Sequence, residues 1–152
     1  MGEAGTFSVR ELKSRDLPLL RAALPDWTPA EPPGVGLSTH RWLTLIQRID
    51  GKEVPVGLAE YQQVVDEGHL LGIAIMPASR GRNLGSQLLQ AVLDEMRGSG
   101  CTRCLLEVRR SNIAAQALYE RAHFTLDGVR KDYYPPQDAG RQEDALLYSR
   151  AL

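Results

Sequence analysis

Glu107 stands in an otherwise apolar run, Leu105-Leu106-Glu107-Val108, where a carboxylate needs a reason. It is a strand-end charge or an ion-pair partner of Arg109, or else it is a general base whose pKa partial burial raises. Tyr119, on the segment that follows, is helix packing or a proton donor. A phenol suits a departing thiolate, because a thiol pKa of roughly 8.5 lies within a couple of units of the phenol's roughly 10. A third group lies upstream, in Arg80-Gly81-Arg82-Asn83-Leu84-Gly85-Ser86. Its small and φ-tolerant residues leave backbone N–H groups uncovered, at the start of a helix. Those donors, the positive end of the helix dipole and two guanidinium groups converge on one point, which spells a phosphate-type anion site. The turn is neither a P-loop, which requires a lysine after its second glycine, nor a Gly-x-Gly-x-x-Gly fingerprint. A surface turn with nothing bound is the alternative that this stretch alone leaves open.

These residues need elements to hold them. Ile73-Ala74-Ile75 reads as a buried strand that Pro77 stops, and Leu84, Leu88, Val92 and Met96 then recur every four residues beside Leu89 and Leu93. Gly98-Ser99-Gly100 ends that helix, and a strand around Cys104 to Val108 follows a crossover long enough to run parallel to the earlier one. Ser111 or Asn112 caps a second helix through about Ala122, with Ile113, Ala117 and Leu118 facing inward. Upstream, Thr6 to Leu12 is a first strand, and Asp16 caps a helix with Pro18 in its first turn. Residues 25–39 form a long proline-rich loop containing Trp27, which lines a substrate opening or pins the loop to the core. Arg41 to Ile49, Val54 to Val65 and the Ile73 strand, joined by turns at Asp50-Gly51 and Asp66-Glu67-Gly68, make an antiparallel meander. Phe124 to Tyr134 and Ala145 to Ser149 close the sheet. The topology is mixed α/β.

A chain of 152 residues fits one domain, expected to span 1–152. With 24% charged and 43% hydrophobic residues and a formal net charge of -1, nothing attracts it globally to nucleic acid or acidic membranes. There is no apolar run of membrane-spanning length and no secretory signal, so a cytoplasmic protein is expected. Cys101 and Cys104 form a Cys-x-x-Cys, but their spacing in a strand-like run points them to opposite faces and no second pair completes a metal site. A structural role is expected for both, and no metal. His40, His69 and His123 share no ligand spacing.

From about Leu12 to the C-terminus the sequence resembles the GCN5-related N-acetyltransferases. The phosphate turn is similar to that superfamily's Arg/Gln-x-x-Gly-x-Gly coenzyme A loop. The run Leu105 to Tyr119, with Asp132-Tyr133-Tyr134-Pro135 and Glu143-Asp144-Ala145, is similar to one branch within it, the RimI-type ribosomal-protein alanine N-acetyltransferases. The resemblance implies a mostly antiparallel sheet of about six or seven strands, helices on both faces and a parallel β-α-β crossover at the coenzyme site. It implies acetyl-CoA as cosubstrate. Ile73, Ala74 and Ile75 would meet the pantetheine arm, Arg80, Gly81, Arg82, Asn83, Leu84, Gly85 and Ser86 the pyrophosphate, and Asn112 the coenzyme arm. Glu107 would deprotonate the incoming amine through water, Tyr119 would protonate the coenzyme A thiolate, and backbone N–H groups of the bulged strand near Ile75 would polarise the thioester oxygen. Trp27, Tyr133 and Tyr134 would bind the acceptor, which the branch implies to be the N-terminal alanine of a small-subunit ribosomal protein. A monomer or weak dimer is expected.

The acceptor chemistry agrees with a mild base. An α-amine with a pKa near 7.7–8.0 is roughly a sixth neutral at pH 7, whereas a lysine amine at about 10.4 is neutral in only about one molecule in a few thousand. A lysine or small-amine acceptor keeps the same chemistry and stays open, as does a coenzyme-binding module that transfers nothing. The departures from the family pattern are Asn83 for a usual Gly, Gly72 for a frequent Asn, His123 for the Gly before Phe124, an extra Gln142, and the proline-rich loop in place of a helix.

Overall fold

The computed structural model describes residues 5–24, 29, 40–136 and 140–152. Trp27 and nearly all of the proline-rich loop lie outside the described residues. The strands are β1 (Thr6–Glu11), β2 (His40–Ile49), β3 (Lys52–Val64), β4 (Glu67–Ile75), β5 (Arg103–Arg109), β6 (Thr125–Tyr134) and β7 (Glu143–Ala151), and the helices are α1 (Leu17–Ala23), α2 (Leu84–Gly98) and α3 (Ile113–Arg121). The seven strands form one sheet in the order β1-β2-β3-β4-β5-β7-β6, in which only β4 and β5 run parallel.

Local sequence explains the meander. Asp50 and Gly51 take φ of 50° and 75°, the paired left-handed conformation of a tight hairpin between β2 and β3. The next turn falls one residue earlier than its composition implies, with Val65 at φ 57°. Gly68 is a strand residue, because a Cβ there would lie 2.5 Å from the Met96 sulfur of α2. It is close packing of helix on sheet, not turn geometry, that requires this glycine.

Alternation along β3 places the two layers. Leu58 packs with Leu12, Leu17, Leu20 and Leu24 around α1, while Ala59 and Tyr61 join the larger core that holds Leu88, Leu89, Val92, Leu93 and Met96 of α2. Helices therefore cover both faces. Asp16 begins α1 but makes no cap bond to it. Its carboxylate turns back to accept from both Arg10 guanidinium nitrogens at 2.8 Å and from the Lys13 amide at 2.8 Å.

Two placements differ from the sequence reading, the inner face of α3 and the cysteine pair. Ile113 is 68% exposed and Ala117 does not join the core, whereas Leu118 faces inward as expected, together with Ala115 and Tyr119. Cys101 precedes β5, so strand alternation does not apply to it, and both thiols are buried in the same core. Burial pushes Cys104 up to about 12 and raises Cys101 as well, which keeps both as inert thiols.

The feature that makes room for a ligand is a parting of parallel strands. β4 and β5 pair only from Glu67↔Arg103 to Leu70↔Leu106. Beyond that, β4 carries an extra residue: Leu70 lies opposite Tyr61 and Gly72 opposite Glu60, which leaves Leu71 as a bulge. The bulge lies four residues before Ile75, and from it onward β4 stays with β3 while β5 stays with β7.

Candidate active site

The opening exposes backbone polarity. The Met76 amide donates to Val56 O at 2.8 Å, so the alternate residue Ala74 also turns its backbone groups toward β3. Ile73 and Ile75 therefore direct theirs to the other edge, where β5 has departed. Of the three residues expected at the pantetheine arm, two face the opening by their main chain, and Ala74 instead packs its side chain against the α1 cluster.

After Ile75 the chain makes a short 3-10 turn at Pro77–Ser79 and enters α2 through two left-handed residues, Gly81 at φ 80° and Asn83 at φ 59°. Asn83 thus adopts the conformation a glycine would take, and its side chain makes no cap bond. The first amides of α2 have no partner within the helix. They border a groove of about 330 Å³ lined by Ile75, Ser79–Ser86 without Arg82, and Ala114, Leu118 and Arg121 of α3. A Cβ on Gly85 would come only to 3.8 Å from Leu118 and 3.9 Å from Ile75, so this glycine keeps the groove floor low. The two arginines of the turn do not converge as their spacing implies. Arg80 Nε donates to Ile75 O at 3.1 Å, and the Arg82 guanidinium lies 5.3 Å from the centre of the Phe7 ring on β1.

Glu107 lies on the opposite face of β5 from the buried Leu106 and Val108, with its side chain 21% exposed. Its partner is Arg130 of β6, at 3.6 Å, and not Arg109. Arg109 is engaged elsewhere: it donates to Glu143 at 3.1 Å and lies 4.4 Å from the centre of the Tyr134 ring. Glu143 also accepts from the Ser111 amide at 2.6 Å, and these hydrogen bonds with the Arg109 charge hold its carboxyl below the usual range. This frame ties the start of β7 to the β5–α3 turn.

Tyr133 and Tyr134 are re-aimed by irregular pairing. Arg130 pairs with Ala145 but Tyr134 pairs with Glu143, so β6 carries two extra residues, with Asp132 left-handed at φ 51° and its amide bonded to Asp144 at 3.0 Å. Neighbouring rings that a regular strand would send to opposite faces instead meet edge to face at 5.0 Å. Arg130 lies over Tyr133 at 5.0 Å, so one guanidinium touches both the carboxylate and an aromatic wall.

Tyr119 is 6% exposed and packs against Phe124 at 5.7 Å and Tyr148 at 6.3 Å. Among the described residues no fully enclosed side-chain oxygen lacks a hydrogen-bond partner, and the Tyr119 hydroxyl makes no such bond, so it reaches accessible space. Burial raises its pKa, with the Cys104 and Tyr134 groups adding to the effect. Tyr134 is raised in turn, by burial and then by the nearby Glu107 carboxylate. Asn112 caps α3, its side-chain oxygen accepting from the Ala115 amide at 3.1 Å.

Sequence reasoning missed Arg130, the Arg109–Glu143–Ser111 frame, and the α3 wall of the phosphate groove. β7, paired with β5 on one side and β6 on the other, brings the first two together across the sequence. The third had a signal, since Ala114, Leu118 and Arg121 recur at helical spacing on one side of α3.

A parted parallel pair, an amide-lined groove at a helix start and a carboxylate beside the opening define an acyltransferase of the GNAT class. Residues 8–124 match the acetyltransferase (GNAT) family, so the chain belongs to it and is an N-acetyltransferase using acetyl-CoA. The [ribosomal protein bS18]-alanine N-acetyltransferase of Salmonella typhimurium is 38% identical over 112 residues, 74% of this chain and 73% of that protein. The enzyme of the same description from Escherichia coli K12 is 42% identical over 86 residues, 57% of each chain. The crystal structure of the E. coli ribosomal-protein-S18-alanine N-acetyltransferase superposes with a TM-score of 0.76 at 30% identity, covering 96% of this chain and 94% of that one. Arabidopsis thaliana NAA60 with acetyl-CoA shares the fold at 18% identity, with a TM-score of 0.79 and coverage of 97% and 100%.

Proposed function

We propose that the chain, as a single N-acetyltransferase domain, transfers acetyl from acetyl-CoA to the N-terminal alanine of ribosomal protein S18. The observation that carries this reading is the 38% likeness to the Salmonella enzyme over most of both chains, together with the full-length likeness of fold to the E. coli one. On this reading the coenzyme lies with its pyrophosphate on the turn from Arg80 to Ser86, which includes Gly81, Arg82, Asn83, Leu84 and Gly85, and its arm along Ile73 and Ile75. Asn112 lies beside the arm. Glu107 takes a proton from the α-ammonium through water, and the freed amine attacks the thioester carbonyl. The tetrahedral intermediate gives up the nitrogen's remaining extra proton to water and collapses with loss of the thiolate, which Tyr119 protonates. A raised phenol pKa keeps that proton in place at neutral pH.

The acceptor enters on the face of Glu107, Tyr133 and Tyr134. The site in this reading works in the cytoplasm, in a monomer or weak dimer without direct contact to nucleic acid or membrane. Among the described residues no helix is long and apolar enough to cross a membrane. An acceptor panel tests the reading: acetyl-CoA is offered with peptides beginning Ala, Ser or Met, with an internal-lysine peptide and with a polyamine. Highest kcat/KM on the Ala peptide carrying the S18 sequence is expected, and turnover of the polyamine or lysine alone would refute it.

A further inference from the structure

We propose that Arg121 is a coenzyme-binding residue that grips a phosphate of acetyl-CoA from the α3 side of the groove. The turn that precedes α2 has the amides for a phosphate but not the converging charge. Arg80 is held on Ile75 O at 3.1 Å and Arg82 is held over Phe7. Arg121 is exposed, lines the same groove, and forms no hydrogen bond, ion pair or ring contact among the described residues. Among the described residues it is therefore the guanidinium at this groove with no competing protein partner to give up when an anion arrives.

Its placement follows from helix geometry. Ala114, Leu118 and Arg121 lie on one side of α3, one turn apart, so the apolar Ala114 and Leu118 wall the groove and Arg121 ends that wall with a charge. Gly85 of α2 faces Leu118 across the groove, where a Cβ would lie 3.8 Å from the Leu118 side chain, so the floor between the α2 amides and Arg121 is bare backbone at this point. A guanidinium and a row of amides on facing walls suit a phosphate, which accepts from both at once.

Arg121→Gln should raise the Kd for coenzyme A and the KM for acetyl-CoA by roughly tenfold, the 1.4 kcal/mol of one modest charged contact. The acceptor KM and kcat should stay unchanged, and Arg121→Lys should restore part of the affinity. Titration with 3′-dephospho-coenzyme A identifies the phosphate. An equal penalty in that ligand places the contact on the pyrophosphate, and a vanished penalty places it on the 3′-phosphate. Unchanged coenzyme A affinity in a variant that melts like the parent would overturn the proposal, and so would a loss confined to kcat.

Discussion

On the proposed mechanism, Glu107 and Tyr119 divide one proton circuit between two faces of the sheet. Replacing Glu107 by Gln removes the base while keeping shape, and Tyr119→Phe removes the acid; each should lower the chemical step by roughly 10² or more. The raised Tyr119 pKa has a sign that can be measured. Because the phenol is the form that donates, raising its pKa extends the protonated population upward in pH. Activity should therefore show no loss attributable to Tyr119 as pH rises to roughly 10, the value at which an unperturbed phenol is half ionised. On that mechanism Arg130 positions Glu107, and its aromatic contact with Tyr133 fixes where its charge sits. Arg130→Met should leave the acetyl-CoA KM unchanged and lower kcat with the Ala peptide, since the Glu107 side chain loses the partner that holds it.

At the scale of elements, close approach and handedness set the sensitive positions. Gly68→Ala should cost roughly 1–3 kcal/mol in thermal or urea unfolding, because its Cβ would meet the Met96 sulfur at 2.5 Å. His123 ends α3 in the left-handed conformation at φ 67°, with the Phe124 amide returning to Tyr119 O at 3.0 Å. His123→Gly should stabilise the chain by up to about 1 kcal/mol, since left-handed strain outweighs the added backbone freedom. The elements themselves were legible, because apolar spacing marks α2 and β5 and turn residues mark the meander. The opening was less so. Its bulge at Leu71 has no turn residue to announce it beyond Gly72, and depends on pairing with Glu60 and Tyr61. Likewise the partner of Glu107 could not be read locally: Arg109 is two residues away, but Arg130 is brought in by β7 lying between β5 and β6.

Across the whole molecule, an ionic lock fastens the first strand and α1 to the sheet. Arg10 of β1 joins buried Asp16 and Glu53 of β3, and Arg15 and Arg48 also reach Glu53. Burial alone would raise the Asp16 pKa, but the hydrogen bonds from Arg10 and the Lys13 amide, with the Arg10 and Arg15 charges, outweigh it and hold the carboxyl below its usual range. A depressed folded pKa contributes stability above the unfolded value near roughly 3.9 and loses it as pH falls through the folded value. Asp16→Asn should thus destabilise by roughly 2–3 kcal/mol at pH 7, and the gap from the parent should close below about pH 4. On the proposed function, coenzyme and acceptor meet beside Glu107 in the opening between β4 and β5. Single-turnover acetyl transfer to an Ala-initiated S18 peptide, by Glu107→Gln saturated with acetyl-CoA, tests it directly. We predict unchanged coenzyme affinity with transfer slowed by roughly 10² or more; transfer at the parent's rate would contradict the account.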